Sequence, residues 1–278
     1  MDASPRSSGS PSAAPGAARS GGHPGGGDFA LSGGDAVEWL AGCDDGSVDL
    51  IVTDPAYESL EKHRAVGTTT RLKHSKASSN DWFQIFPNAR FPELFREAYR
   101  VLAPSAHLYL FCDQTTMFVA KPAAEAAGFR FWKPLVWDKR LIGMGYHYRA
   151  RYELVLFFEK GRRRLADLAV PDVITAPRVR GGYPAEKPSA VAEVLIRQSS
   201  APGELVVDPF VGSGSTGVAA VRLGRRFLGN DVCAEAVAVA ARRLREAGAR
   251  HDGALLAAVR RGAVGSTATR GKGGGSRP

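Results

Sequence analysis

The chain has 278 residues, 44% of them hydrophobic and 23% charged, which is enough apolar material for one sizeable core. No uninterrupted apolar run approaches the roughly 20 residues of a membrane span, and Cys43, Cys112 and Cys233 form no Cys-x-x-Cys pair, so no membrane segment and no sequence-local metal site are expected. The net charge of +9 is uneven: residues 248–278 carry +5 and residues 1–27 only +1, a tail composition that favours polyanions.

In chain order, residues 1–27 are almost all Ser, Gly, Pro and Ala and read as a disordered tail. Residues 28–250 alternate short apolar runs with helical patterns. Strands are expected at 28–31, 48–53, 106–112, 131–138, 152–158, 204–208 and 225–230, and helices at 35–41, 91–102, 114–127, 187–199, 214–223 and 232–247. Leu94, Phe95, Ala98, Val101 and Leu102 share one helix face, and Pro92 suits its first turn. Strands separated by helices imply an α/β domain, its mostly parallel sheet covered on both faces. The strands at 131–138 and 152–158 have no helix between them and are expected to pair antiparallel at one edge. The polar, basic stretches 58–90, 139–151 and 160–186 read as loops. Residues 251–278 read as a basic, mostly disordered tail, with Leu255, Leu256 and Val259 able to extend a helix. The sparse, odd cysteine set suits a reducing compartment and the N-terminus lacks a signal-like apolar stretch, so a cytoplasmic location is expected.

Chemistry concentrates at two strand ends. Asp208-Pro209-Phe210-Val211-Gly212-Ser213-Gly214-Ser215-Thr216 follows Leu205-Val206-Val207, and Gly212, Gly214 and Gly217 keep the Gly-x-Gly-x-x-Gly spacing that lets backbone approach a nucleotide. Asp231, 19 residues after Gly212 and past the next strand, can accept hydrogen bonds from ribose hydroxyls. Alone, this half suits a nicotinamide dinucleotide or S-adenosylmethionine (SAM). Asp208 at the strand tip favours SAM, whose ammonium and sulfonium a carboxylate attracts and whose competitor's pyrophosphate it repels.

Asp54-Pro55-Ala56-Tyr57 ends the other run, Val48–Thr53. The exocyclic amine of adenine or cytosine is a poor nucleophile because its lone pair is delocalised into the ring. Asp54 and the Pro55 carbonyl can each accept one N–H bond, drawing the nitrogen toward tetrahedral geometry and stabilising developing positive charge. Tyr57 can stack on the base. A base inside a duplex cannot reach such a pocket and must be flipped out.

With these motifs in this order, residues 28–247 resemble the amino-methylating DNA methyltransferases of permuted motif order, the beta group. The resemblance implies a Rossmann-like SAM-methyltransferase fold of seven strands, one antiparallel at the edge, with the C-terminal pair supplying its first two strands in space. It implies catalysis by Asp54, Pro55 and Tyr57. It implies SAM binding by Asp208, Pro209, Phe210, Gly212, Ser213, Gly214 and Asp231, with Asp35 near the SAM adenine and Lys187, in Glu186-Lys187-Pro188, on the segment leading into the SAM site. Tyr152–Phe158 resembles the strand bordering the target base. Ala56 stands where the family usually has proline, which stiffens the loop. The leading aspartate favours adenine N6 over cytosine N4.

DNA is the expected partner, with a homodimer and a restriction endonuclease as further candidates. Sequence readout is expected from 58–90, with Lys62, Arg64, Arg71 and Lys73, or from 160–186, with Arg162, Arg163, Arg164, Arg178 and Arg180. Lys139, Arg140 and Arg149–Arg151 can also line a DNA groove. Competing readings are an RNA or protein amino-methyltransferase, a DNA-binding protein with a decayed site, and a nicotinamide oxidoreductase. The oxidoreductase reading gives Asp54–Tyr57 no role.

Overall fold

Eight strands, each with at least one apolar face, pair into a single sheet in the computed structural model, which describes residues 29–59, 84–143, 147–180, 183 and 186–260. They are β1 (Phe29–Gly33), β2 (Val48–Thr53), β3 (Leu102–Cys112), β4 (Arg130–Asp138), β5 (Tyr152–Lys160), β6 (Val173–Thr175), β7 (Leu205–Asp208) and β8 (Arg226–Asp231). The sheet order is β1-β8-β7-β2-β3-β5-β4-β6. The helices are α1 (Ala36–Ala41), α2 (Phe91–Val101), α3 (Gln114–Ala126), α4 (Ser189–Ser199), α5 (Ser215–Arg222), α6 (Ala234–Glu246) and α7 (Gly253–Ala258).

Alternation along the strands divides the core in two. Ile51, Leu108, Leu110, Leu156 and Leu228 face one side with Trp39 and Leu40 of α1, Leu94 and Phe95 of α2, Ala120 of α3 and Leu255 of α7. Leu50, Val52, Tyr109, Phe157 and Phe227 face the other with Leu195 and Ile196 of α4, Val218 of α5 and Leu244 of α6. The central strands are buried on both faces, so their sequences read as near-continuous apolar runs. Asp35, Asp113 and Asp252 begin α1, α3 and α7 by accepting backbone N–H bonds from Val37 and Glu38, from Thr116, and from Ala254.

Three expectations need correction. The sheet has eight strands rather than seven: β6, three residues between Pro171 and Pro177, lies inside the stretch read as a loop and pairs parallel with β4. The antiparallel strand is not at the edge. β5 lies between β3 and β4, antiparallel to both. The reason is apolar content: Leu154–Phe158 of β5 are buried in succession, whereas β4 exposes Arg130, Trp132 and Lys133 and so takes the outer place. Third, residues 251–260 pack on the body. Leu255 and Val259 are buried, the Asp252 N–H donates to Phe29 O and the Asp44 N–H to Val259 O. At the other edge the order is β1, β8, β7, so β1 flanks the C-terminal pair on the outside. Among the described residues no helix is long and apolar enough to cross a membrane. The expected tails 1–27 and 263–278, and most of the loop 58–90, lie outside the described residues.

Candidate active site

β2 and β7 are parallel neighbours, Leu50 opposite Val206 and Ile51 opposite Val207. Their C-terminal tips therefore end side by side. Thr53 Oγ1 donates to Asp208 Oδ1 at 2.8 Å across 155 residues of sequence. A cavity of about 390 Å³ opens over these tips, the place where open α/β sheets bind ligands. Asp54, Pro55 and Tyr57 line it from one side, and Asp208, Pro209, Phe210, Gly212, Ser213 and Asp231 from the other. Asp35 and Lys187 line it too.

On the first side, Asp54 is gripped at both oxygens. Tyr57 OH donates to Oδ1 at 2.7 Å, and Lys187 Nζ lies 2.5 Å from Oδ2. Each oxygen keeps a lone pair for another donor. Burial, reinforced by the Asp54 charge, raises the Tyr57 phenol well above its ordinary value, so it stays protonated and donates. The Tyr57 ring is 7% exposed and its hydroxyl is engaged, so in this arrangement it orients the carboxylate. The Ala56 carbonyl accepts the Phe86 N–H at 2.8 Å, which ties the loop to the segment before α2 despite the missing proline.

On the second side, burial pushes the Asp208 carboxyl up to about 7, against the hydrogen bonds from Thr53 and the Phe210 N–H. Burial likewise raises Asp231, whose two oxygens accept the Gly212 and Cys233 N–H groups at 2.9 Å each. Gly212 bends the loop at φ +46° beside the cavity. Gly214 does not line it: at φ +79° it caps α5, and a Cβ there would meet Ala240 Cβ at 2.9 Å. Asp35 lines the mouth, but its carboxylate caps α1 and pairs with Arg90 at 2.5 and 2.9 Å. The Arg90 bond holds its carboxyl below the ordinary value.

Several lining or supporting residues carry no assignment from sequence. Glu153 of β5 is a half-buried carboxylate 2.5 Å from Lys139 Nζ and 3.3 Å from Lys187 Nζ. Burial opposes its charge, and Lys187 and Lys139 outweigh burial and keep its pKa below the ordinary value. Its sequence signal is an acidic residue at the start of an apolar strand. Arg90 and Arg243 carry no signal, because each acts through a partner more than 50 residues away. Fully buried Asn230 donates to Gly34 O at 2.9 Å and to Pro209 O at 3.4 Å, joining two turns of the site.

Strand direction also sorts the basic segments. β5 runs opposite to its neighbours, so Arg162–Arg164, after its end, lie at the edge away from the cavity. Arg178 and Arg180 follow β6, which runs with β4, and lie on the cavity side. Arg140 and Arg149, exposed on the β4–β5 connection, share that side.

The model of the N6/N4 DNA methylase family matches residues 48–242. The chain belongs to this family. YubD of Escherichia coli (strain K12) is 32% identical to the methylase over 200 residues, which cover 70% of this chain and 81% of YubD. The type II methyltransferase M.HpaI of Haemophilus parainfluenzae is 26% identical over 237 residues, 75% of this chain and 72% of its own. TTHA0409 of Thermus thermophilus, named as a DNA modification methylase, superposes with a TM-score of 0.59 at 25% identity, over 79% of this chain and 96% of that one.

The methylase cavity fits SAM by the chemistry of its donors. The glycine-loop side presents two carboxylates, Asp208 and Asp231, and Arg90 at the mouth is neutralised by Asp35. That set suits a cationic ligand with a diol and repels the pyrophosphate of a dinucleotide. Asp208 and Asp231 would hold the cofactor's cationic and hydroxyl groups.

Proposed function

We propose that this methylase transfers the methyl group of SAM to the exocyclic amino nitrogen of a flipped base in DNA, with adenine N6 preferred. The observation that carries the reading is the hydrogen bond between Thr53 and Asp208, beside which Asp54–Tyr57 and the glycine loop line one cavity. Bound SAM supplies an electrophilic methyl on a sulfonium sulfur. Asp54 and the Pro55 carbonyl each accept one N–H of the amine, and positive charge developing on nitrogen is met by a carboxylate already oriented by Tyr57 and Lys187. SAM would supply the methyl and leave as a neutral thioether, and the Asp54 carboxylate would accept the proton that the methylated nitrogen gives up. The cavity walls hold the base for in-line attack. Exposed Arg140, Arg149, Arg178 and Arg180, on the cavity side, face the phosphates of the duplex. The aspartate that opens the motif supports adenine.

The test is incubation with methyl-labelled SAM and DNA, followed by digestion to nucleosides. Label in the N6-methyladenine deoxynucleoside is expected. Label in the N4-methylcytosine deoxynucleoside moves the target to cytosine, and label absent from DNA overturns the reading. Asp54→Ala should lower transfer by about a thousandfold or more while SAM binding stays nearly intact. Turnover at the normal rate in that variant would remove Asp54 from the chemistry.

A further inference from the structure

The geometry points to Lys187 and Glu153 as positioning residues for the Asp54 carboxylate, not as cofactor ligands; the inference rests on the amino-methylation reading above. Four half-buried charges of alternating sign follow one another, contact by contact, up to the cavity. Lys139 Nζ lies 2.5 Å from Glu153 Oε1, Glu153 Oε2 3.3 Å from Lys187 Nζ, and Lys187 Nζ 2.5 Å from Asp54 Oδ2. The Lys187 ammonium also sits over the Phe111 ring, 5.8 Å from its centroid.

Lys187 and Tyr57 each occupy one oxygen of Asp54, so the plane of that carboxylate is set before a base arrives. Glu153 supplies a second carboxylate, so that the ammonium groups of Lys139 and Lys187 each have an anionic partner.

The neighbouring residue serves the opposite half. Glu186 takes Arg243 Nη2 at 2.6 Å, and Arg243 Nη1 donates to Ser213 O at 2.7 Å. Two adjacent residues thus divide the site: Glu186 braces the glycine loop and Lys187 braces the Asp54 carboxylate.

The test measures the SAM dissociation constant by equilibrium dialysis without DNA, and kcat on plasmid DNA at saturating SAM. Lys187→Met should lower kcat about 100-fold and Glu153→Gln about tenfold, with SAM affinity within about threefold of the parent in both. Glu153→Asp should recover part of the lost kcat. Glu186→Gln should show the reverse split, weaker SAM binding with kcat retained at saturation. SAM affinity lowered tenfold or more by Lys187→Met, or parental kcat in Glu153→Gln, overturns the assignment. Should Lys187→Met not fold, Glu153→Gln decides alone. A parent protein that methylates no DNA fails the functional reading itself, and that failure shows before any substitution is made.

Discussion

Asp208 is 3% exposed, and burial pushes its carboxyl up to about 7 from an ordinary value of 3.8. The folded protein therefore holds this proton more tightly than the unfolded chain does. Its contribution to stability is full below about pH 4 and falls as pH rises to about 7, by an amount on the order of a few kcal/mol. A cation in the cavity reverses the preference, because it favours the ionised carboxylate. SAM affinity should then rise with pH up to about 7 and level off above it, with close to one proton released on binding well below pH 7 and almost none above it. Asp208→Asn should flatten that profile, weaken binding at pH 8 and raise the melting temperature at pH 8. Calorimetric titration in buffers of different ionisation enthalpy reads the proton directly, and an unchanged profile in the variant would take Asp208 away from the cofactor. Asp208 was legible in the sequence because it precedes a glycine loop. Glu153 was not: one acidic residue in Tyr152–Phe158 acquires meaning only beside Lys139 and Lys187.

At the scale of elements, the spacing of Gly212, Gly214 and Gly217 announced a strand–loop–helix unit without separating the roles of the three glycines. Gly212 turns beside the ligand space. Gly214 lets α6 approach, and a Cβ at Gly217 would stand 2.5 Å from the Phe227 ring. Gly214→Ala combines an unfavourable φ of +79° with contact to the Ala240 backbone. It should cost about 1–3 kcal/mol in stability, measured by urea unfolding, with any loss of SAM affinity following from displacement of the loop. A variant as stable as the parent would show that α5 and α6 tolerate more separation than their packing indicates. The antiparallel pairing of β4 with β5 was legible from the absence of a helix between them. Which of the two lies inward was not, because that depends on how well each fits against β3. The three residues of β6 are too few for periodicity to register.

At the scale of the molecule, the C-terminal boundary depends on packing. Truncation after residue 250 removes Leu255 and Val259 from the core and should cost about 3–5 kcal/mol. Deletion of 263–278 removes Arg270, Lys272 and Arg277. It should weaken DNA binding mainly at low salt and flatten the dependence of log K on log salt by about one to three units. An identical slope would show that these cations meet no phosphate.

Local chemistry was available from the chain alone: two motifs at strand ends, alternating strand and helix patterns, and a donor set suited to a cation and an amine. Those features depend on residues close in sequence, whose spacing and side chains carry their own meaning. Only the tertiary structure set Asp54 beside Asp208, turned Lys187 toward the Asp54 carboxylate, gave Glu153 its place between two lysines and sent Arg162–Arg164 to the far edge of the sheet. Each of these rests on strand order and direction, which come from the summed fit of whole faces in the core and are written in no single segment.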